Sequence, residues 1–166
     1  MALYDSTQYL NDAFDYYRRG RAEILNPERL VITVDGSHSK YDRYVKFSGD
    51  SYELAEIQIT GSYGGPSRTF MYDLYEKIES NHGHFAKEIF NDCIEYDRHQ
   101  RGWIVDWDSV CYELENVCIE ELMPEVSAQQ PPVKSSTQKK KSKYGYGSET
   151  LYASGQLVQS IHVEVL

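Results

Sequence analysis

Leu151-Tyr152-Ala153-Ser154-Gly155-Gln156-Leu157-Val158-Gln159-Ser160-Ile161-His162-Val163-Glu164-Val165-Leu166 is the stretch whose reading decides the fold. Ser154-Gly155 is a start signal, a hydroxyl able to cap a helix followed by a residue with free dihedrals. Leu157, Val158 and Ile161 follow at helical spacing for a turn or two. From Ile161 the period changes to two, with Ile161, Val163 and Val165 on one side and His162 and Glu164 on the other. That pattern predicts a strand buried on one face, added to a sheet begun much earlier in the chain.

Working outward, an earlier β region is expected. Leu30 to Val34 is a dense β-branched run, Tyr44 to Phe47 alternates, and Leu54 to Thr60 places Ala55, Ile57 and Ile59 on one side. Strands so close in sequence predict an antiparallel meander. Residues 5 to 19 carry a helical stripe (Tyr9, Leu10, Ala13, Phe14, Tyr17) that Gly20 stops. Further stripes predict helices over 67–80, over 84–96 after an Asn81-His82-Gly83 break, and from Asp106 or Asp108 to about Leu122, where Pro124 ends the last. Trp103 to Val105 reads as a short strand. The expected fold is α+β: an antiparallel sheet of the early meander plus the C-terminal strand, packed with about four helices. Residues 1–166 are expected to form a single domain, from which 124–149 departs as a long, mobile, basic and polar loop.

The chain has 166 residues, a net charge of −9 and a pI near 5.0, which argues against the whole surface binding nucleic acid or an anionic membrane. No apolar run approaches the ~18 residues of a membrane span. The acidic, amphipathic start lacks the pattern of a signal peptide, so synthesis and residence in a reducing cytoplasm are expected. Cys93, Cys111 and Cys118 form no Cys-x-x-Cys pair and read as small buried apolar residues. Fifteen tyrosines favour wet protein–protein contacts, because each has an apolar ring and a polar tip.

Site chemistry is sparse. His82, His84 and His99 have no acidic or cysteine ligand at a familiar spacing, so no metal is expected. Glu113, Glu115, Glu120, Glu121 and Glu125 fall on the polar side of an amphipathic helix. Gly61 to Ser67 precedes a helix, but no Gly-Lys-Ser/Thr follows and Pro66 removes a donor; a hinge, or a loop reaching a neighbour, is the better reading. No catalytic constellation and no cofactor are expected, and the chain reads as a non-enzyme. The one sharp local feature is Lys139, Lys140, Lys141 and Lys143 beside Tyr144 and Tyr146, with Lys134 upstream. It reverses the charge of an acidic protein and suits DNA phosphates or an acidic neighbour.

The C-terminal block also resembles the Thr/Ser-Gly-x-Leu-x-x-Ser-Ile signature of tailed-phage tail-completion and head–tail joining proteins. Met123-Pro124, a polar run, Ser154-Gly155-Gln156-Leu157 and Ser160-Ile161 match the order of helix end, loop, motif and strand in that group, whose members more often have Thr at the position of Ser154. The resemblance covers about the last quarter of the chain. It implies a structural virion protein of the neck, assembled in the host cytoplasm as a homo-oligomeric ring between the portal-side connector and the tail-tube or terminator proteins. DNA would pass through the lumen, with non-specific contact and no membrane. Ser154, Gly155, Leu157, Ser160 and Ile161 would then determine the fold, and residues 128–147 would form the assembly arm. The strands expected over 30–60 exceed what the minimal family needs. Two alternatives stand beside it: a small acidic inhibitor or adaptor of a nucleic-acid-handling enzyme, and an enzyme with an unrecognised site.

Overall fold

A computed structural model describes residues 3–4, 24–35, 50–143, 145–147, 150–151 and 156–166. The expected helix over 5–19, the Asp35 to Ser39 loop beyond its first residue and the strand at Tyr44 to Phe47 lie outside them. The fold is α+β. The chain forms two compact units that alternate along the sequence. The first takes Met1–Ile32, Tyr75–Val117 and Val163–Leu166, and the second takes Thr33–Leu74 and Cys118–His162.

Strands β1 (Leu3–Tyr4), β2 (Leu30–Val34) and β5 (Ile161–Val165) form a sheet in the order β1-β2-β5. β1 is antiparallel to β2, with Leu3 opposite Val31 and Tyr4 opposite Leu30. At either end of the β2–β5 pair, Asp35 N–H donates to the Ser160 carbonyl and Leu166 N–H to that of Arg29, so these strands are antiparallel too. The C-terminal period-two pattern is therefore a strand, with Ile161 and Val163 buried and His162 and Glu164 exposed, although Val165, expected on the buried side, is exposed near the chain end. β5 is an edge strand. Its Val163 N–H, on the side away from β2, donates to Glu115 Oε2 at 3.2 Å, which satisfies a group that an open edge leaves bare.

The first unit holds the helix α3 (His82–Phe90), the hairpin β3 (Ile94–Asp97) and β4 (Gly102–Val105), and the helix α4 (Trp107–Asn116). Phe85, Ile89 and Phe90 are buried as the stripe predicts, with Ala86 beside them, but the helix stops there, and Ile94 starts a strand where helix was expected to 96. Asp106 caps α4, accepting from Ser109 N–H. Asn26 clasps the hairpin like a strand: its Nδ2 donates to the Val105 carbonyl (2.8 Å), its Oδ1 accepts from Val105 N–H (2.9 Å), and its carbonyl accepts from Trp107 Nε1 (2.6 Å).

In the second unit the expected third strand is a helix, α1 (Ser51–Thr60). The apolar residues alternate there, but the ends decide. Asp50 Oδ1 accepts from Glu53 N–H at 2.8 Å and Glu53 Oε2 from Asp50 N–H at 3.3 Å, a reciprocal capping box that starts a helix. Gly61, at φ +70, ends it in a left-handed conformation. A β-carbon there would lie 2.7 Å from the backbone nitrogen of Ser67, so glycine is required twice over. Of the expected early meander, Leu30 to Val34 is a strand and Leu54 to Thr60 belongs to this helix. Helix α2 (Phe70–Ser80) follows the predicted stripe, with Phe70, Leu74 and Ile78 buried.

Pro124 does not end the helical path. A π-type segment, Val117–Leu122, widens the turns after α4, and α5 (Met123–Gln129) begins with Pro124 in its first turn, where the missing N–H costs nothing. The stretch expected to be irregular therefore carries α5 and a second helix, α6 (Ser135–Lys143), followed by the short α7 (Gln156–Gln159). No helix of the described residues is long and apolar enough to cross a membrane.

Candidate functional site

The C-terminal motif and the lysine segment both fall in the second unit. Leu157, Val158, Ser160 and Ile161 are buried, and Ser160 Oγ donates to the Leu157 carbonyl at 3.1 Å. That bond spans one turn and closes α7, so the serine is satisfied where the chain passes from helix to strand. Ser154 and Gly155, the expected cap, lie outside the described residues, as does Tyr144.

The lysines separate into two kinds. Lys139, Lys140 and Lys143 are exposed on α6, whereas Lys141 retains only 2% of its accessible surface. Helix α6 has no apolar stripe, so periodicity could not announce it. Its ends and the buried Lys141 stem hold it. Gln138 N–H donates to the Lys134 carbonyl (2.9 Å) in the first turn. At the far end Tyr146 N–H donates to the Lys141 carbonyl and Gly145 N–H to that of Ser142, with Gly145 at φ +78, which is a Schellman termination. Tyr146 is half-buried.

Polar ties fix the run-up to α6. Gln130, itself buried, accepts from Thr69 N–H through Oε1 (3.0 Å) and donates through Nε2 to Asp73 Oδ2 and the Val126 carbonyl. Arg68 Nη1 donates to Gln58 Oε1 (2.6 Å) and the Pro66 carbonyl, and Nη2 to the Pro131 carbonyl. Lys134 Nζ donates to the Gly64 carbonyl, and Ser127 Oγ to that of Thr150. The Gly61 to Ser67 loop packs on its own unit through these contacts. Residues 124–149 are therefore not a bare arm: removing 128–147 would take Gln130 and Lys141 out of a packed interior.

The remaining candidates do not converge. His82 Nδ1 lies 2.8 Å from the Glu79 carbonyl, and His84 pairs with Glu88 at 3.4 Å on an exposed helix face. No group of three or more His, Cys, Asp or Glu among the described residues is placed to hold a metal. Glu113, Glu120, Glu121 and Glu125 are exposed, as expected of a solvated face. Cys93, Cys111 and Cys118 form no disulfide; Cys93 and Cys118 are buried and Cys111 partly so. Burial, then nearby carboxylates, pushes Cys93 and Cys111 up to about 11, so neither is an activated nucleophile. Tyr52, Tyr72 and Tyr112, each at least 60% exposed on a helix, offer the amphipathic surface that the tyrosine count suggested.

Sequence reasoning missed the tip of the β3–β4 hairpin, Arg98-His99-Gln100-Arg101, whose signal was the dense run of donors ahead of Gly102. In comparisons with known proteins the chain matches no family model, no curated protein and no solved structure, so its function is argued from these residues.

Proposed function

We propose that this chain is a structural subunit of the tailed-phage neck, a tail-completion protein that forms a ring joining the DNA-filled head to the tail. The observation that carries the reading is the placement of Leu157, Ser160 and Ile161. All three are buried at the turn from α7 into β5, and β5 lies along β2. Their burial supports the fold-determining role that the resemblance implies for these motif positions. The exposed face of α6 with Lys139, Lys140 and Lys143, and the exposed tyrosines, supply contact surface for neighbouring subunits or for DNA in the lumen.

The ring is tested by light scattering at micromolar concentration and by electron microscopy, with and without a portal-side connector. A closed oligomer, formed alone or on the connector, is expected. Reversing Lys139, Lys140 and Lys143 to glutamate should weaken it without unfolding the chain, since all three are exposed. A persistent monomer that no connector assembles defeats the proposal and leaves the small acidic adaptor or inhibitor as the better reading.

A further inference from the structure

The β3–β4 hairpin carries chemistry that the neck reading does not use. Asp97 faces Gly102 in the register, so a four-residue loop, Arg98 to Arg101, connects the strands. All four side chains are exposed. The acid beside them is turned inward: Asp97 Oδ1 accepts from His99 N–H (2.7 Å) and Gln100 N–H (3.1 Å), and Oδ2 from Gln100 Nε2 (3.1 Å). Neither Arg98 nor Arg101 takes part in an ion pair among the described residues. Arg101 is held at φ 56, a left-handed conformation that glycine would adopt without strain. A strained arginine at a turn tip is the kind of outlier that functional positions retain.

The base of the hairpin is built to be rigid. Tyr96 and Trp103 meet edge to face across the strands, with ring centroids 5.0 Å apart. The outer edge of β4 is occupied, with Leu25 N–H donating to the Trp103 carbonyl at 2.9 Å and Asn26 clasping Val105. No strand can add along that edge of β4, and the four side chains of the tip beyond it are exposed.

We infer that this arginine-tipped hairpin binds the phosphate backbone of nucleic acid. A protein partner fits less well. A stable protein interface buries roughly 800 Å² on each side around clustered aromatic or aliphatic anchors; the four tip residues are polar, and the exposed apolar residues below them, Tyr96 and Ile104, fall on opposite faces of the ribbon. Phosphates are engaged one at a time, and a guanidinium grips each in bidentate fashion. A two-stranded ribbon also fits the major groove of a duplex. The net charge of −9 opposes a polyanion, so binding is weak, and two phosphate contacts give it a shallow salt dependence.

This inference goes beyond the neck reading and does not rest on it. The test is fluorescence anisotropy of the full chain with a labelled duplex of about 30 base pairs, from about 20 to about 150 mM salt. Arg98→Gln with Arg101→Gln should lower affinity by about tenfold at the low-salt end and reduce the log–log salt slope by about 2, two phosphates at about 0.9 each. Arg101→Gly separates function from fold, because it should raise the melting temperature while weakening DNA binding. The inference fails if the wild type does not bind at about 20 mM salt, if the double variant binds equally well, or if only Lys139, Lys140 and Lys143 variants lose binding. It also fails if the tip variants alter self-association and leave DNA binding unchanged. Rings with DNA-competent tip variants would sink this inference alone, and tip-dependent binding without rings would sink the neck reading alone.

Discussion

Residues of one type do different work here. Lys141 is buried, while Lys139, Lys140 and Lys143 face solvent on the same helix. Lys141→Ala should therefore destabilise the chain by about 1–3 kcal/mol, through lost packing of the stem and unpaired buried groups. Single alanines at the other three should stay within about 0.5 kcal/mol; urea unfolding of the four variants checks the split. The thiols make a pH prediction. Cys93 and Cys111 are raised from 9.0 to about 11, first by burial and then by Asp106 and Glu113, and by Asp108 and Glu115, respectively. The folded state holds these protons longer than the unfolded state does. The stability they contribute is complete below pH 9 and is lost as pH rises through about 11. A Cys93→Ala, Cys111→Ala variant should lose less stability than the wild type between those two values in urea titrations.

At the scale of elements, ends outweigh periods. The stripes of α2 and the opening of α3 were legible because each buries one face, as Phe70, Leu74 and Ile78 do. Leu54 to Thr60 was misread because Ala55, Ile57 and Ile59 alternate, although Asp50 and Glu53 stand at capping-box spacing just ahead of them. Asp50→Ala should cost about 1 kcal/mol and speed amide exchange over Ser51 to Leu54, measurable by hydrogen exchange. Helix α6 was illegible for the opposite reason: it has no stripe, and Gly145 together with one buried stem fixes it. Pro124 misled because the π segment before it shifts the turns until the ring sits at a helix start.

For the whole molecule, the sheet joins segments more than a hundred residues apart, β2 near the start and β5 at the C-terminus. Truncation after Ser160 should abolish cooperative unfolding, seen as loss of the thermal transition by circular dichroism, because the buried Ile161 and Val163 are removed and β2 keeps only the two-residue β1 beside it. A truncated chain with an unchanged transition would show that β5 is dispensable to the fold. In the candidate site, the burial of Leu157 and Ile161 and the exposure of three lysines could be anticipated from pattern and charge, whereas a role for Ser160 came only from the resemblance. The clasp of Asn26 on Val105 and the ties of Gln130 to Thr69 and Asp73 could not, since each joins residues dozens of positions apart.

The amino-acid sequence alone determined the α+β class, the terminal strand, the amphipathic helices and the acidic body, because hydrophobic period and charge are local properties that survive without partners. Only the tertiary structure decided that Lys141 is an interior residue and that Ser135 to Lys143 of the polar stretch is helical. Only it decided that four donors ahead of Gly102 stand together on a hairpin tip. Burial of a charged side chain and presentation of a turn depend on what packs behind them, and that is set by contacts between residues distant along the chain.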